Sequence, residues 1–245
     1  MRSEEYEHLS KAENRLWWFR AMRLFLARLL PPQPHGGASV LDIGCGTGGL
    51  LASLSSSAYR PIGLDFSAVA LGYAGEKTNR GLVRASANHI PFKSAFDLVI
   101  SVDVLEVGSV DPEKLAAGAL RALKPGGHGL FVMAAHQWLL SEHDRAVNSV
   151  RRYNLSQMRS LFSASGARIL RATYLFFLVF PLVALRKLIN PSRKEDNRNP
   201  VSDVKIPPAV VNGPLYGICW LEAQLLSRLN MPIGSSVAVL VKKDG

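Results

Sequence analysis

Three groups of residues in this chain have the types and spacing that chemistry uses. The first is Asp42, Gly44, Gly46 and Gly48, within the stretch VLDIGCGTGG from Val40 to Gly49. Glycines at that spacing after an apolar run let the chain turn tightly and bring backbone N–H groups up to a ligand at the start of a helix. Gly44, Gly46 and Gly49 also make a literal dinucleotide-loop pattern, and Asp65 stands about 20 residues beyond it, where an acid accepts hydrogen bonds from ribose hydroxyls. Alone, these features fit a nicotinamide cofactor, other adenosine-containing cofactors, or a tight turn that holds nothing. Asp42 shifts the weights: a carboxylate two residues ahead of the loop suits a ligand cation and would repel a pyrophosphate. On that reading Gly44, Gly46 and Gly48 carry the pattern and Gly49 is incidental.

The second group is His136, His143 and Asp144, in the polar, His- and Arg-rich stretch 136–155. A histidine there can be a general base whose tautomer an acid orients, or a structural hydrogen-bonding group. The spacing of the three is too loose for a metal site, and none is expected. Arg151, Arg152 and Tyr153 follow; they read either as a phosphate clamp or as a solvated basic loop. Glu106 ends an apolar run and can face a substrate or cap a helix. The third group is LWWFR, residues 16–20, an aromatic stripe that either covers a ligand or packs.

Residues 1–30 read as helix, ended by PPQPHGG. From Ala38 short apolar strands alternate with helices: SVLDIG, LLASLSS, YRPIGLDFS, AVALGYAGEK, GLVRAS, FDLVISVDVLE, DPEKLAAGALRAL with Asp111 as N-cap and Pro112 at the first helical position, then HGLFVMAA after KPGG. That alternation predicts a parallel sheet covered by helices on both faces. Further on, SQMRSLFSASG reads as a helix capped at Gly166, ARILRATY and SSVAVLVKK as strands, and roughly 175–230 as a helical insertion interrupted by a mobile NPSRKEDNRNP loop.

The chain has 245 residues, enough for one large domain, and a formal net charge of +10, which favours an anionic partner. No nucleic-acid-binding motif accompanies the charge, so no nucleic acid is expected. Two distant cysteines, Cys45 and Cys219, give no disulfide framework, and the polar start shows no secretory signal; both fit the cytoplasm. The apolar run Tyr174 to Leu185 is shorter than the roughly 20 residues of a spanning helix and contains Pro181. With Arg186, Lys187, Arg193 and Lys194 beyond it, it reads either as an interfacial helix at an anionic membrane or as a helix lining an apolar pocket.

Four stretches taken together, VLDIGCGTG (40–48), PIGLDFS (61–67), FDLVISVDVLE (96–106) and LKPGG (123–127), resemble the class I S-adenosylmethionine (SAM) methyltransferases in order and spacing. The resemblance covers about residues 38–135. It implies an α/β, Rossmann-like seven-stranded sheet of order 3-2-1-4-5-7-6 with strand 7 antiparallel, and a SAM-binding domain over 38–245. It further implies SAM as cofactor and S-adenosylhomocysteine as product. The cofactor would meet Asp42, Gly44, Cys45, Gly46, Thr47 and Gly48 in the loop, and Asp65 and Phe66 after the second strand. Ser86 and Ala87 would stand near the adenine, and Ser101, Val102 and Asp103 at the tip of the fourth strand. The family often has an acid where this chain has Ser86, a weaker acceptor.

The flanks are similar to one branch of that superfamily, whose members accompany glycosyltransferase and polysaccharide-assembly functions. LWWFR, AAHQWLLSEHDRAVNSVRRYN and LEAQLLSRLNMPIGSSVAVLVKK carry this likeness. The branch implies a helical lid over residues 1–37 and an insertion over about 175–235 that shapes the acceptor site. Candidate catalytic residues are then His136, His143, Asp144, Tyr153 and Glu106, and candidate substrate contacts are Arg151, Arg152, Trp17 and Trp138. Histidines common in the branch are replaced here by Leu16, Val107 and Ser149–Val150, a change that implies another substrate or lost activity. The expected function is SAM-dependent methyl transfer to an apolar small molecule or a lipid-linked, in some cases phosphorylated, acceptor, with peripheral membrane contact and no obligate protein partner. The rival readings are a SAM-binding protein that does not methylate, serving regulation, structure or a SAM-assisted rearrangement, and an NAD-dependent oxidoreductase, against which Asp42 and LKPGG count.

Overall fold

The computed structural model describes residues 3–31, 37–55, 59–79, 81–141, 144, 146–189 and 206–244. Seven strands form one sheet: β1 (Ala38–Ile43), β2 (Tyr59–Asp65), β3 (Leu82–Arg84), β4 (Phe96–Val102), β5 (Leu123–Ala134), β6 (Ala167–Leu175) and β7 (Ser236–Lys243). Their order is β3-β2-β1-β4-β5-β7-β6; β7 runs antiparallel to both β5 and β6, and the other pairings are parallel. The expected topology is therefore present. β1, β4 and β5 read as near-continuous apolar runs because helices cover both of their faces, and Val40, Leu41, Leu98, Val99, Leu130 and Phe131 are fully buried.

The helices are α1 (Ser3–Ala12), α2 (Trp17–Leu29), α3 (Gly49–Ser55), α4 (Ala68–Lys77), α5 (Pro112–Ala122), α6 (Leu155–Ala164), α7 (Phe180–Ile189) and α8 (Ala209–Leu226). Local chemistry starts several of them. Ser67 caps α4 by accepting from Ala70 N, and Asp111 caps α5 by accepting from Glu113 N and Lys114 N, with Pro112 in the first turn. Asn154 and Gln157 close a capping box on α6. Gly166, at φ +85°, follows α6 in the left-handed conformation that the sequence reading placed there.

Two boundaries differ from the sequence reading. The single helix expected over 1–30 is two, because the chain turns at residues 13–16, where Arg15 N and Leu16 N both donate to Ala12 O. β5 already begins at Leu123, so KPGG lies within the strand, and the β4–β5 register shifts between Phe96 and Leu98. The NPSRKEDNRNP loop falls outside the described residues.

α2 crosses to α8, its far neighbour in sequence. Trp17 N donates to Asn212 Oδ1 at 2.9 Å, Asn212 Nδ2 donates to Arg15 O at 2.9 Å, and Arg28 Nη2 donates to Gln224 Oε1 at 2.8 Å. The Arg20 guanidinium lies 3.8 Å over the Tyr216 ring. Beneath them Phe176 is fully buried with φ +60°; Trp18 stacks on it at 5.9 Å, and Trp17 and Phe25 meet it edge-on at 5.8 and 5.0 Å. Glu222 of α8 accepts from Leu178 N at 2.9 Å and so fixes the turn that follows.

Candidate functional site

The strand order reverses between β1 and β4, and the carboxyl ends of strands at such a point open a crevice. Here the crevice is a cavity of about 1550 Å³. A pocket for one drug-sized ligand takes about 300–1,000 Å³, so there is room for a cofactor and a second molecule.

One wall is the loop after β1. Gly44, Gly46 and Gly48 have φ of +74°, +52° and +84°, which only glycine adopts without strain. A side chain at Gly44 would strike Val104 and one at Gly48 would meet the Ala74 backbone, whereas at Gly46 nothing lies within 4 Å. Gly46 thus presents bare backbone to the cavity. Asp65, ending β2, accepts from Gly46 N at 2.9 Å and from Ser67 N at 2.8 Å, which ties the loop to the next turn and leaves lone pairs on both oxygens.

Asp42 is buried in the same wall, and its Oδ2 has no hydrogen-bond partner. Burial first, then the charges of Asp65 and Glu13, pushes its carboxyl up to about 7. An orphaned acid of this kind fits a ligand that brings a cation or a donor. Burial likewise raises the Cys45 thiol well above its ordinary value, so it is not a thiolate nucleophile.

The opposite wall is the tip of β4. Asp103 stands at φ +54° and Glu106 is buried; both line the cavity. Glu106 Oε1 accepts from Ala134 N at 3.4 Å, while no donor group reaches Oε2. Burial raises Glu106 well above the ordinary carboxyl range, with Asp103 adding to it, and burial raises Asp103 to about 6 against the pull of Glu106 and Arg152. Two ionised carboxylates cannot hydrogen-bond each other, so this contact is a hydrogen bond when the pair shares one proton.

α1 and α2 form the roof. Glu13, between them, is buried; Thr47 Oγ1 donates to it at 2.6 Å and Lys77 Nζ at 2.5 Å. Tyr6 hydrogen-bonds Ser67 beside Asp65. A side chain at Gly49 would run into Glu13, so Gly49, read from the sequence as incidental, is required by this close approach.

The structure brings together Asp42, Gly44, Cys45, Gly46, Asp65, Phe66, Ser86, Ala87, Val102 and Asp103 on the cavity. Three other residues of the expected cofactor set stand behind it. Thr47 turns to Glu13, Gly48 packs on α4, and Ser101 Oγ donates to Ile43 O at 3.3 Å.

Among the other candidates, Glu106, Asp144 and Arg152 line the cavity. Asp144 is saturated: Arg152 Nη2 donates to both of its oxygens at 2.9 and 2.8 Å, and Ser141 N and Oγ donate to Oδ2. Arg152 Nη1 donates to Ala135 O while its buried Nε has no partner, and Arg151 Nη1 donates to Val110 O. Tyr153 OH donates to Leu105 O at 3.1 Å. His136, at φ +61°, stacks on Tyr174 at 5.1 Å beside Trp138 and Phe180, off the cavity, and burial lowers its pKa. His143 lies outside the described residues. Trp17 packs on Phe176, and its neighbour Trp18 reaches the cavity. Among the described residues no group of three or more His, Cys, Asp or Glu is placed to hold a metal ion.

Sequence reasoning missed Glu13 and Tyr6, both on the cavity, which Arg186 and Lys187 also line. An acid in the break between two helices was the available signal for Glu13.

Residues 41–131 match a family model described as a methyltransferase domain. The chain is 37% identical over 99 residues to an uncharacterized protein of Methanocaldococcus jannaschii, a match covering 40% of this chain and 38% of that protein. It is 32% identical over 105 residues to the ubiquinone biosynthesis O-methyltransferase of Thiobacillus denitrificans, covering 40% of this chain and 45% of that protein. The chain thus spans less than half the length of these curated relatives. A phosphoethanolamine N-methyltransferase 2 from Haemonchus contortus, solved with S-adenosyl-L-methionine, superposes with a TM-score of 0.59 at 22% identity, over 93% of this chain and 53% of that one, and shares its fold.

Proposed function

We propose that this chain, whose residues 41–131 form a class I SAM-dependent methyltransferase domain, transfers a methyl group to an apolar small molecule or a lipid-linked acceptor. The observation that supports this best is one oversized cavity that carries both acids and bases. Asp42, Asp65, Asp103 and Glu106 stand at the strand tips, and Arg186 and Lys187 of α7 line the cavity too, as do Arg23 and Arg152. A sulfonium cofactor is a cation and suits the strand-tip acids. An acceptor bearing phosphate suits the bases of α7, with apolar Leu139, Val147, Val183 and Ile189 around its body.

The residues present fit the cofactor: Gly46 bares its backbone, Asp65 keeps lone pairs for ribose hydroxyls, and Asp42 lacks a partner. When bound, SAM supplies an activated methyl group for in-line displacement. The protein's share is to hold two molecules in line under the α1–α2 roof, to exclude water, and to take a proton where the acceptor is a hydroxyl or an amine. Asp103, which burial raises to about 6, is a carboxylate on the cavity that can take it.

Isothermal titration of SAM, its demethylated product and NAD into the full chain tests this. Binding of SAM and product but not NAD is expected, followed by transfer of labelled methyl into the lipid fraction of a cell extract. NAD binding without SAM binding overturns the reading. SAM binding with no transfer into any extract fraction favours a protein that holds SAM without methylating.

A further inference from the structure

α8 buries Cys219, Ala223 and Leu226 on its inner side. Its polar side chains face the protein: Asn212 bonds Trp17 and Arg15, Glu222 bonds Leu178, and Gln224 bonds Arg28, while Tyr216 lies under Arg20. The solvent receives the apolar stripe Val210, Pro214, Ile218, Leu221 and Leu225, spaced four, four, three and four residues apart on one helical face. Val210 is 81% exposed, Leu221 51% and the adjacent Trp220 50%. A helix that meets water carries polar side chains on its outer face, and α8 carries apolar ones there.

The helix before it repeats the anomaly. Phe180, Val183 and Lys187 of α7 turn inward, and Lys187 Nζ donates to Leu140 O. On the other side Leu182, Leu185 and Leu188 are exposed, Leu188 to 73%, with Arg186 and Ile189 beside them on the cavity rim. Two consecutive helices each show apolar side chains to water, and exposed apolar surface of this kind marks docking sites.

We propose that the exposed sides of α7 and α8 dock on the surface of an anionic lipid bilayer. Charge selects that occupant. The chain carries a net +10, and Arg186 is exposed in the last turn of α7, so a negatively charged surface attracts it. Two copies at +10 each repel, which disfavours pairing of the same face with itself. A tryptophan at the edge of an apolar stripe and bases flanking leucines are the side chains that settle at headgroup depth. Neither helix spans: among the described residues no helix is long and apolar enough to cross a membrane. Docking places the rim of the cavity against the lipid. Its purpose, delivery of a lipid-linked acceptor, rests on the function proposed above, whereas the docking itself does not.

Flotation of the full chain with vesicles of equimolar phosphatidylcholine and phosphatidylglycerol, without cofactor, tests this. The chain is expected to float with these vesicles at least about tenfold more strongly than with phosphatidylcholine alone, and less strongly as salt is raised. Leu185→Asp and Leu221→Asp, which touch neither core nor cavity, are each expected to weaken binding about tenfold with an unchanged melting temperature. Arg186→Glu is expected to weaken it more than about fivefold. A wild-type chain that stays behind at every composition overturns the proposal, as do aspartate variants that float like the wild type. A dimer in sedimentation that Leu221→Asp dissociates, without vesicle binding, assigns the face to a second copy instead. Titration with SAM separates the two readings: flotation without SAM binding leaves docking standing and the catalytic function fallen, and SAM binding without flotation does the reverse.

Discussion

Asp103 and Glu106 distinguish acceptor chemistries. Burial raises Asp103 to about 6, and burial with the charge of Asp103 raises Glu106 well above the ordinary carboxyl range, so Asp103 can act as a base at neutral pH. Below about pH 6 it is protonated, so transfer to a hydroxyl or amine is expected to lose about tenfold per pH unit there. Asp103→Asn is expected to lower kcat by about 10²–10⁴-fold and remove that acid limb. A phosphate or carboxylate acceptor needs no base, so a flat pH profile, unchanged by the substitution, would identify that class instead. Asp42 makes a second prediction. Its folded pKa, about 7, lies above the ordinary 3.8, so the folded state holds the extra proton in between. Stability therefore falls as pH rises through that window, by up to about 4 kcal/mol, and Asp42→Asn is expected to remove the slope. Urea midpoints of both proteins at pH 5 and pH 8 measure it; parallel slopes would mean that Asp42 does not titrate there. The same variant is expected to weaken SAM binding, because a cation loses its carboxylate.

At the scale of elements, the roof is held to the glycine loop by Glu13. Glu13→Ala leaves Thr47 without its acceptor and Lys77 half-buried without its acid, and is expected to cost about 3 kcal/mol in urea unfolding. Gly48→Ala is expected to cost more than about 2 kcal/mol, since φ is +84° and the new methyl meets Ala74 backbone. A loss under half of either figure would mean that the roof or the loop relaxes freely. The loop was legible in the sequence because its constraints are local: three positive-φ positions and an acid at each end fall within 24 residues, Asp42 to Asp65. The sheet was legible for the same reason, since strand and helix alternate with near-continuous apolar runs. Glu13 was not, because its partners lie 34 and 64 residues away. Nor was α8, whose hydrophobicity on all sides hides which face turns inward; its contact with Trp17 spans 195 residues. The second candidate group shows the converse. His136, Arg151 and Tyr153 are polar types in a polar stretch, and only their partners reveal that they bind the protein's own backbone and rings.

At the scale of the whole molecule, the question is whether residues 3–31 are a lid that opens or part of the body. Phe25, Leu26 and Leu29 of α2 belong to the same continuous core as Leu41, Leu98, Phe176 and Cys219. α2 and α8 are joined by hydrogen bonds at both ends and by the ring cluster on Phe176. Opening α2 as a unit would expose that cluster and leave Asn212 and Gln224 without partners, whereas α1 touches the body chiefly through α4 and the Tyr6–Ser67 bond. Opening is therefore expected at α1, with the turn at 13–16 as hinge and α2 unfolding together with the sheet. Scanning calorimetry of the full chain should show one transition whose calorimetric and van't Hoff enthalpies agree. Hydrogen exchange should show amides of α1 exchanging by local opening and becoming protected when SAM is added, while those of α2 exchange only with global unfolding. Independent early exchange of α2 would make it part of the lid, and a chain lacking residues 1–12 that binds SAM as tightly as the full chain would remove α1 from the site.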